Sequence, residues 1–168
     1  MAPADEVRIQ FERLSLPLKN ELYRAARALA ASDADALDLV QETYLRAWKA
    51  FAAYREKQRF RAWIFTILRH AHVDLCRRRR LQPATTDPGE LPEPQAPSPA
   101  GTIPEDMQAA LARLRPAHHL LLLLREIQGF SYREIAEILG WPAGSVMSGL
   151  HFARAALRLE LGRGGVNR

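Results

Sequence analysis

Residues 82–103 constrain this chain more than any other stretch, because they cannot bury enough surface to fold. Six prolines fall there (Pro83, Pro88, Pro92, Pro94, Pro97 and Pro99), and apolar periodicity is almost absent. Proline fixes φ and removes a backbone donor, so neither helix nor strand persists at that density. The stretch reads as a semi-extended linker, which at about 3.1 Å per residue reaches roughly 70 Å. A structureless loop of this length folded back on one compact domain is disfavoured. The expected organisation is one domain over residues 1–81, a flexible linker over 82–103 and a second domain over 104–168.

Both flanking segments show helical periodicity, and no run alternates as a strand would. A first helix is expected over residues 4–14. A second, opened by Ser15 with Pro17 near its start, runs to Ala31. Ser32 or Asp33 caps a third, whose early Asp33, Asp35 and Asp38 suit the positive end of the helix dipole. It would bury Leu39, Val40, Thr43, Ala47 and Phe51. After a connection at residues 52–57, a fourth helix over 59–80 turns Trp63, Ile64, Ile67, Leu68, Ala71 and Leu75 inward. Beyond the linker, helices are expected over 104–113 and from Pro116 to Gly129, the second carrying the run Leu120 to Leu124. The fold class is all-α, as two small helical domains joined by a proline-rich linker.

Residues 130–159 then spell helix, turn, helix. Ser131 and Glu134 have capping-box spacing, Ile135, Ile138 and Leu139 form an apolar stripe, and Ala136 permits close approach. Gly140 suits a left-handed C-cap and Pro142 the opening of the next helix. Val146, Leu150, Ala153 and Leu157 repeat as one buried face, with Ser145, Ser148, Gly149 and Phe152 set opposite. A helix-turn-helix places its second helix in the major groove, so those outward positions would meet base edges. Spacing alone also fits an αα-hairpin inside an ordinary bundle.

Charge separates the two halves. The whole chain is +5, yet residues 46–80 hold eleven basic side chains against two acids, giving +9 and leaving the remainder at −4. Such segregation points to an anionic partner for one surface and a different partner for another. Cys76 is the only cysteine, so no internal disulfide can form, and the N-terminus lacks the pattern of a signal peptide. The Leu run is too short to span a bilayer. A cytoplasmic protein without membrane insertion is expected. His72 and Cys76 are four apart and could share a zinc ion with His70 nearby, but a third and fourth ligand are missing. The adjacent His118 and His119 cannot share a helix face. No glycine-rich phosphate loop or nucleophile–base pair is evident, so neither enzyme activity nor a cofactor is expected.

Four segments in order resemble one family: DALDLVQETYLRAWKAF, FRAWIFTILRHAHVDLCRRRR, the proline-rich linker, and LARLRPAHHLLLLLREIQGFSYREIAEILGWPAGSV. Together they look like an extracytoplasmic-function (ECF) bacterial sigma factor. The resemblance implies a first domain that docks on core RNA polymerase and melts the −10 element, and a second that reads the −35 element. It implies polymerase contacts from Asp38, Gln41, Glu42, Leu45 and Trp48, although by periodicity the acids could equally serve the helix dipole and Trp48 the core. It implies −10 contacts from Tyr54, Arg55, Lys57, Arg59, Phe60, Arg61, Arg69, His70, Arg77 and Arg78, a cationic groove with aromatic platforms as single strands require. Trp63 lies on the apolar face, and the run Arg77 to Arg80 also reads as a solvated basic helix end.

For the −35 element the resemblance points to Ser131, Tyr132, Ser145, Met147, Ser148, Gly149, His151, Phe152 and Arg154. An anti-sigma factor is the further partner implied. Three departures stand out. Leu37 replaces a usual acid, His70 a usual Asn, and VMSGLHFAR stands where the family often has VKSRLHRAR. Weak or unusual −35 reading is therefore expected, with Arg restored at 149 and 152 strengthening it. The alternative from the residues is a stand-alone helix-turn-helix regulator.

Overall fold

The computed structural model describes residues 3–55, 59–81 and 104–165, so the linker, Lys57 and the chain ends lie outside the described residues. Every element among the described residues is helical. Two compact units divide the chain, Met1–Ser98 and Pro99–Arg168.

The first unit contains α1 (Pro3–Ser15), a 3₁₀ turn (Leu16–Leu18), α2 (Lys19–Leu29), α3 (Asp33–Phe51) and α4 (Phe60–Leu81). Alanines at 25, 26, 28, 36, 47 and 71 are all buried, which lets α2, α3 and α4 approach closely around Leu22, Leu39, Ile64, Phe65 and Leu68. Ser32 caps α3 by accepting the Asp35 backbone N–H at 3.1 Å. Ser15 does not cap α2. It ends α1, its hydroxyl is buried with no hydrogen-bond partner, and its carbonyl accepts the Tyr44 hydroxyl at 2.9 Å. Pro17 supports the tight turn between the two helices instead. The expected inward side of α4 is only partly so: Ile64, Leu68 and Ala71 are buried, whereas Trp63, Ile67 and Leu75 are half-buried.

In the second unit, α5 (Glu105–Ala112) and α6 (Pro116–Leu122) lead into one π turn, Leu123–Ile127. Leu120 to Leu124 are all at most 5% exposed, so this stretch is packed on every side rather than on one stripe. The stretch ends at Gly129 with φ 72°, and the Phe130 N–H returns to the Leu124 carbonyl at 2.9 Å. Helix α7 (Tyr132–Leu139) and α8 (Ala143–Gly165) follow. Gly140 adopts φ 65°, and Trp141 N–H bonds the Ala136 carbonyl at 3.0 Å, closing α7 as the left-handed cap demands. Ile135, Ile138, Val146, Leu150 and Ala153 are essentially fully buried between these helices and the Leu run.

Both halves of the capping box are formed. The Ser131 hydroxyl accepts the Glu134 N–H at 3.2 Å, and the Glu134 carboxylate accepts the Ser131 N–H at 2.8 Å. Ser131→Ala is expected to cost about 1 kcal/mol of this unit's stability, read as a lowered unfolding midpoint.

Candidate nucleic-acid interface

Helix α3 turns its core stripe inward through Ala36, Leu39, Val40, Thr43, Ala47 and Phe51, all buried. At i, i+3, i+7 and i+10 on the opposite side stand Asp38, Gln41, Leu45 and Trp48, one continuous stripe. Leu45 is 55% exposed and Trp48 42%, so two large apolar side chains lie uncovered beside two polar ones. Leu37 is also exposed. Glu42, next to this stripe, accepts the Arg46 Nε–H at 2.7 Å, and Arg46 reaches on to Asp74 of α4 at 2.6 Å. That guanidinium holds the Asp74 carboxyl below the usual carboxylate range and ties α3 to α4. One side of Trp48 packs on the Phe11 ring, edge to face with centroids 5.3 Å apart.

The aromatic residues expected to face DNA separate into two roles. Tyr54 stacks on Trp63 with centroids 4.2 Å apart and planes 22° from parallel, and both are half-buried. Phe60, by contrast, is only 3% exposed and meets the rings of Phe11, Phe51, Tyr54 and Trp63. It cannot serve as a stacking platform, because the aromatic core already encloses it. Arg55, Arg59, His70, Arg77 and Arg78 are exposed, and Arg69 is half-buried. Arg61 is committed in part to Glu21 at 2.8 Å. His72 Nε2 and Cys76 Sγ are 3.4 Å apart, but among the described residues no group of three His, Cys, Asp or Glu could hold a metal ion.

On α8, Ser145, Met147, Ser148, His151 and Phe152 are exposed, Met147 at 57% and Phe152 at 62%. None of these five is a lysine or an arginine. Gly149 was expected beside them, yet it points inward. A Cβ there would lie 2.8 Å from Leu121 Cδ1 and 3.5 Å from Trp141 Cζ3, so this position is a close approach between helices and not part of the outward face. Arg154 donates through Nε to Glu126 at 3.0 Å, which raises its pKa further and leaves its charge partly neutralised. Tyr132 is half-buried with the Arg125 guanidinium 4.6 Å above its ring. The Ser131 hydroxyl is spent on the cap. The Arg46–Asp74 and Arg154–Glu126 pairs were not foreseen, since each joins residues 28 apart in sequence.

Residues 16–82 match the family model for sigma-70 region 2, and residues 105–157 that for sigma-70 region 4. The ECF RNA polymerase sigma factor SigL of Mycobacterium tuberculosis is 36% identical over 152 residues, covering 88% of this chain and 86% of that protein. SigE of Mycolicibacterium smegmatis is 34% identical over 146 residues, covering 83% of this chain but only 56% of its own length. Among solved structures, the sigma factor RpoE in complex with the anti-sigma factor NepR from Bartonella quintana superposes with a TM-score of 0.77 at 30% identity. It covers 94% of this chain and 98% of that one. CnrH in complex with the cytosolic domain of CnrY gives 0.64 at 28% identity, with 91% and 88% covered. Among the described residues no helix is long and apolar enough to cross a membrane.

Proposed function

Because this chain belongs to the ECF sigma factors of the sigma-70 family, we propose that it docks on core RNA polymerase through the outward stripe of α3 and directs it to promoters. Sigma factors are non-enzymatic initiation factors, so the work is binding and strand separation rather than bond chemistry. Domain 1–81 would hold polymerase and the opened −10 strand, domain 104–168 would read the −35 duplex, and residues 82–103 would join them. The observation that carries this is the pairing of exposed Leu45 and Trp48 with Asp38 and Gln41 on one helix face. An interface needs such an apolar centre with a polar margin, and the domain's own core has no use for it.

The −10 strand would run along the exposed guanidiniums of Arg55, Arg59, Arg77 and Arg78 and past the exposed imidazole of His70, with Arg61 and Arg69 in support. Base stacking falls to the Tyr54–Trp63 pair rather than to Phe60. On the −35 side, Ser145, Met147, Ser148, His151 and Phe152 offer few charges, and Arg154 is shared with Glu126. Promoter choice therefore rests more on the first domain. Two solved relatives are held by anti-sigma proteins or by a domain of a second protein, and a comparable silencing partner is proposed here, acting in the cytoplasm where polymerase is found. A stand-alone helix-turn-helix regulator would need neither α3's stripe nor the basic face of α4.

Run-off transcription with bacterial core polymerase tests the reading directly. Promoter-specific transcripts and co-purification with core are expected. Their joint absence would overturn it.

A further inference from the structure

Two large apolar side chains stand in solvent on the face of α8 that a helix-turn-helix turns toward DNA. Val146, Leu150 and Ala153 fix the opposite face by being fully buried. Away from them the helix presents two adjacent lines of exposed residues. Ser145, Ser148 and Phe152 align at i, i+3 and i+7, and Met147, His151 and Arg158 at i, i+4 and i+11. Phe152 is 62% exposed and Met147 57%, so neither belongs to the core of the unit. The His151 and Phe152 rings meet edge to face with centroids 5.7 Å apart, which restricts where the phenyl ring can swing.

We infer that Phe152 and Met147 select thymine in the −35 duplex by packing on its C5-methyl group, with Phe152 the stronger determinant. The inference rests on the −35 reading proposed above and deepens it, by naming the base that these two positions choose. In the major groove every base pair offers polar donors and acceptors, and the thymine methyl is the one apolar feature among them. A phenyl ring set against N7, O6 or an exocyclic amino group displaces water and returns no hydrogen bond, leaving a polar group unpaired. Against the methyl it removes apolar area of both partners from water. One side chain therefore attracts thymine and penalises the other bases. The Met147 thioether acts in the same sense, on a stem that bends more easily. Five residues of helix advance about 7.5 Å, which places the two contacts roughly two base-pair steps apart. Ser148 and His151 carry hydrogen-bonding groups for the edges between. Arg158, exposed two turns beyond His151, suits a backbone phosphate, which positions the helix without choosing a base.

The test uses the full chain with core polymerase and a template pool randomised across the −35 region, each template marked by a transcribed barcode. Wild type is expected to select thymine at two positions roughly two steps apart. Replacing each selected thymine by deoxyuridine removes the methyl and nothing else, and should lower initiation about fourfold, the worth of one buried methyl group. Phe152→Ala should lose the preference at one of these positions and become indifferent to uridine there, while keeping it at the other. Met147→Ala should do the reverse. Phe152→Leu, still apolar, should retain the choice of thymine. A merely structural role would lower all templates together and leave the uridine effect in place in both alanine variants, which would overturn the inference. So would unchanged selection in both, the result expected if these side chains serve only a protein partner, and so would a wild type that selects no thymine. No promoter-specific transcript from wild type would instead overturn the reading beneath it.

Discussion

Leu45→Arg is expected to reduce affinity for core polymerase by about thirtyfold or more, the scale of a hot-spot residue, while the protein melts at the wild-type temperature. The asymmetry follows from where Leu45 stands. It is 55% exposed on α3, opposite Ala36, Val40, Thr43 and Ala47, so the domain's core loses nothing when it changes. Surface substitutions of that kind usually shift stability by no more than about 0.5 kcal/mol. At the centre of an interface the same change places a charge where apolar area is needed. Trp48→Ala is a less clean experiment, since part of Trp48 packs on Phe11 and its removal also loosens α1. Affinity titrations with labelled protein and a thermal melt give the two readouts. Wild-type affinity for Leu45→Arg would remove the α3 stripe from the docking surface and leave its exposed Leu45 and Trp48 without an assigned purpose.

How much of this was legible in the sequence depended on the range of the interaction that decides each feature. The capping box at Ser131 and Glu134, the left-handed Gly140 and the cap at Ser32 are each settled within a few residues, and local spacing announces them. The buried stripe of α3 is likewise periodic within one helix. Phe60 is ambiguous in the sequence, because a phenylalanine among arginines suits a stacking platform and a core equally well. Phe11 and Phe51 decide the matter, and they lie 49 and 9 residues away. Ser15 looked like a cap because Pro17 follows, but the Tyr44 hydroxyl, 29 residues on, engages its carbonyl at the end of α1. The π turn at Leu123–Ile127 leaves no compositional trace, since its first two leucines continue a run buried on every side, which is compatible with either helix pitch. For the candidate site, the exposed cations of α4 and the exposed face of α8 could be listed from periodicity. The share of Arg61 held by Glu21, and of Arg154 held by Glu126, could not.

Gly149→Arg and Phe152→Arg, which sequence comparison would treat as a matched pair of restored cations, are expected to act in opposite directions. Phe152 is 62% exposed, so arginine there adds a mobile cation at no packing cost, and the log–log salt slope of −35 binding should steepen by about 0.9 if it meets a phosphate. At 149 the first added carbon already meets Leu121 Cδ1 at 2.8 Å. Leu121 is fully buried within the Leu run, so its methyl has little room to retreat, and Trp141 closes the other side at 3.5 Å. Arginine, like alanine, gains helix propensity over glycine, up to about 1 kcal/mol. Overpacking costs about 1–3 kcal/mol, and a long side chain must also find an exit between Leu121 and Trp141. The net is a destabilised second unit, with its melting midpoint lowered by roughly 4–8 °C for each kcal/mol lost. Because α8 carries the outward residues Ser145, Met147, Ser148, His151 and Phe152, a displaced α8 should weaken −35 binding even as its formal charge rises. Thermal melts and salt titrations on both single variants separate the two effects; a Gly149→Arg protein as stable as wild type, binding more tightly, would show that the close approach of α8 to Leu121 constrains nothing.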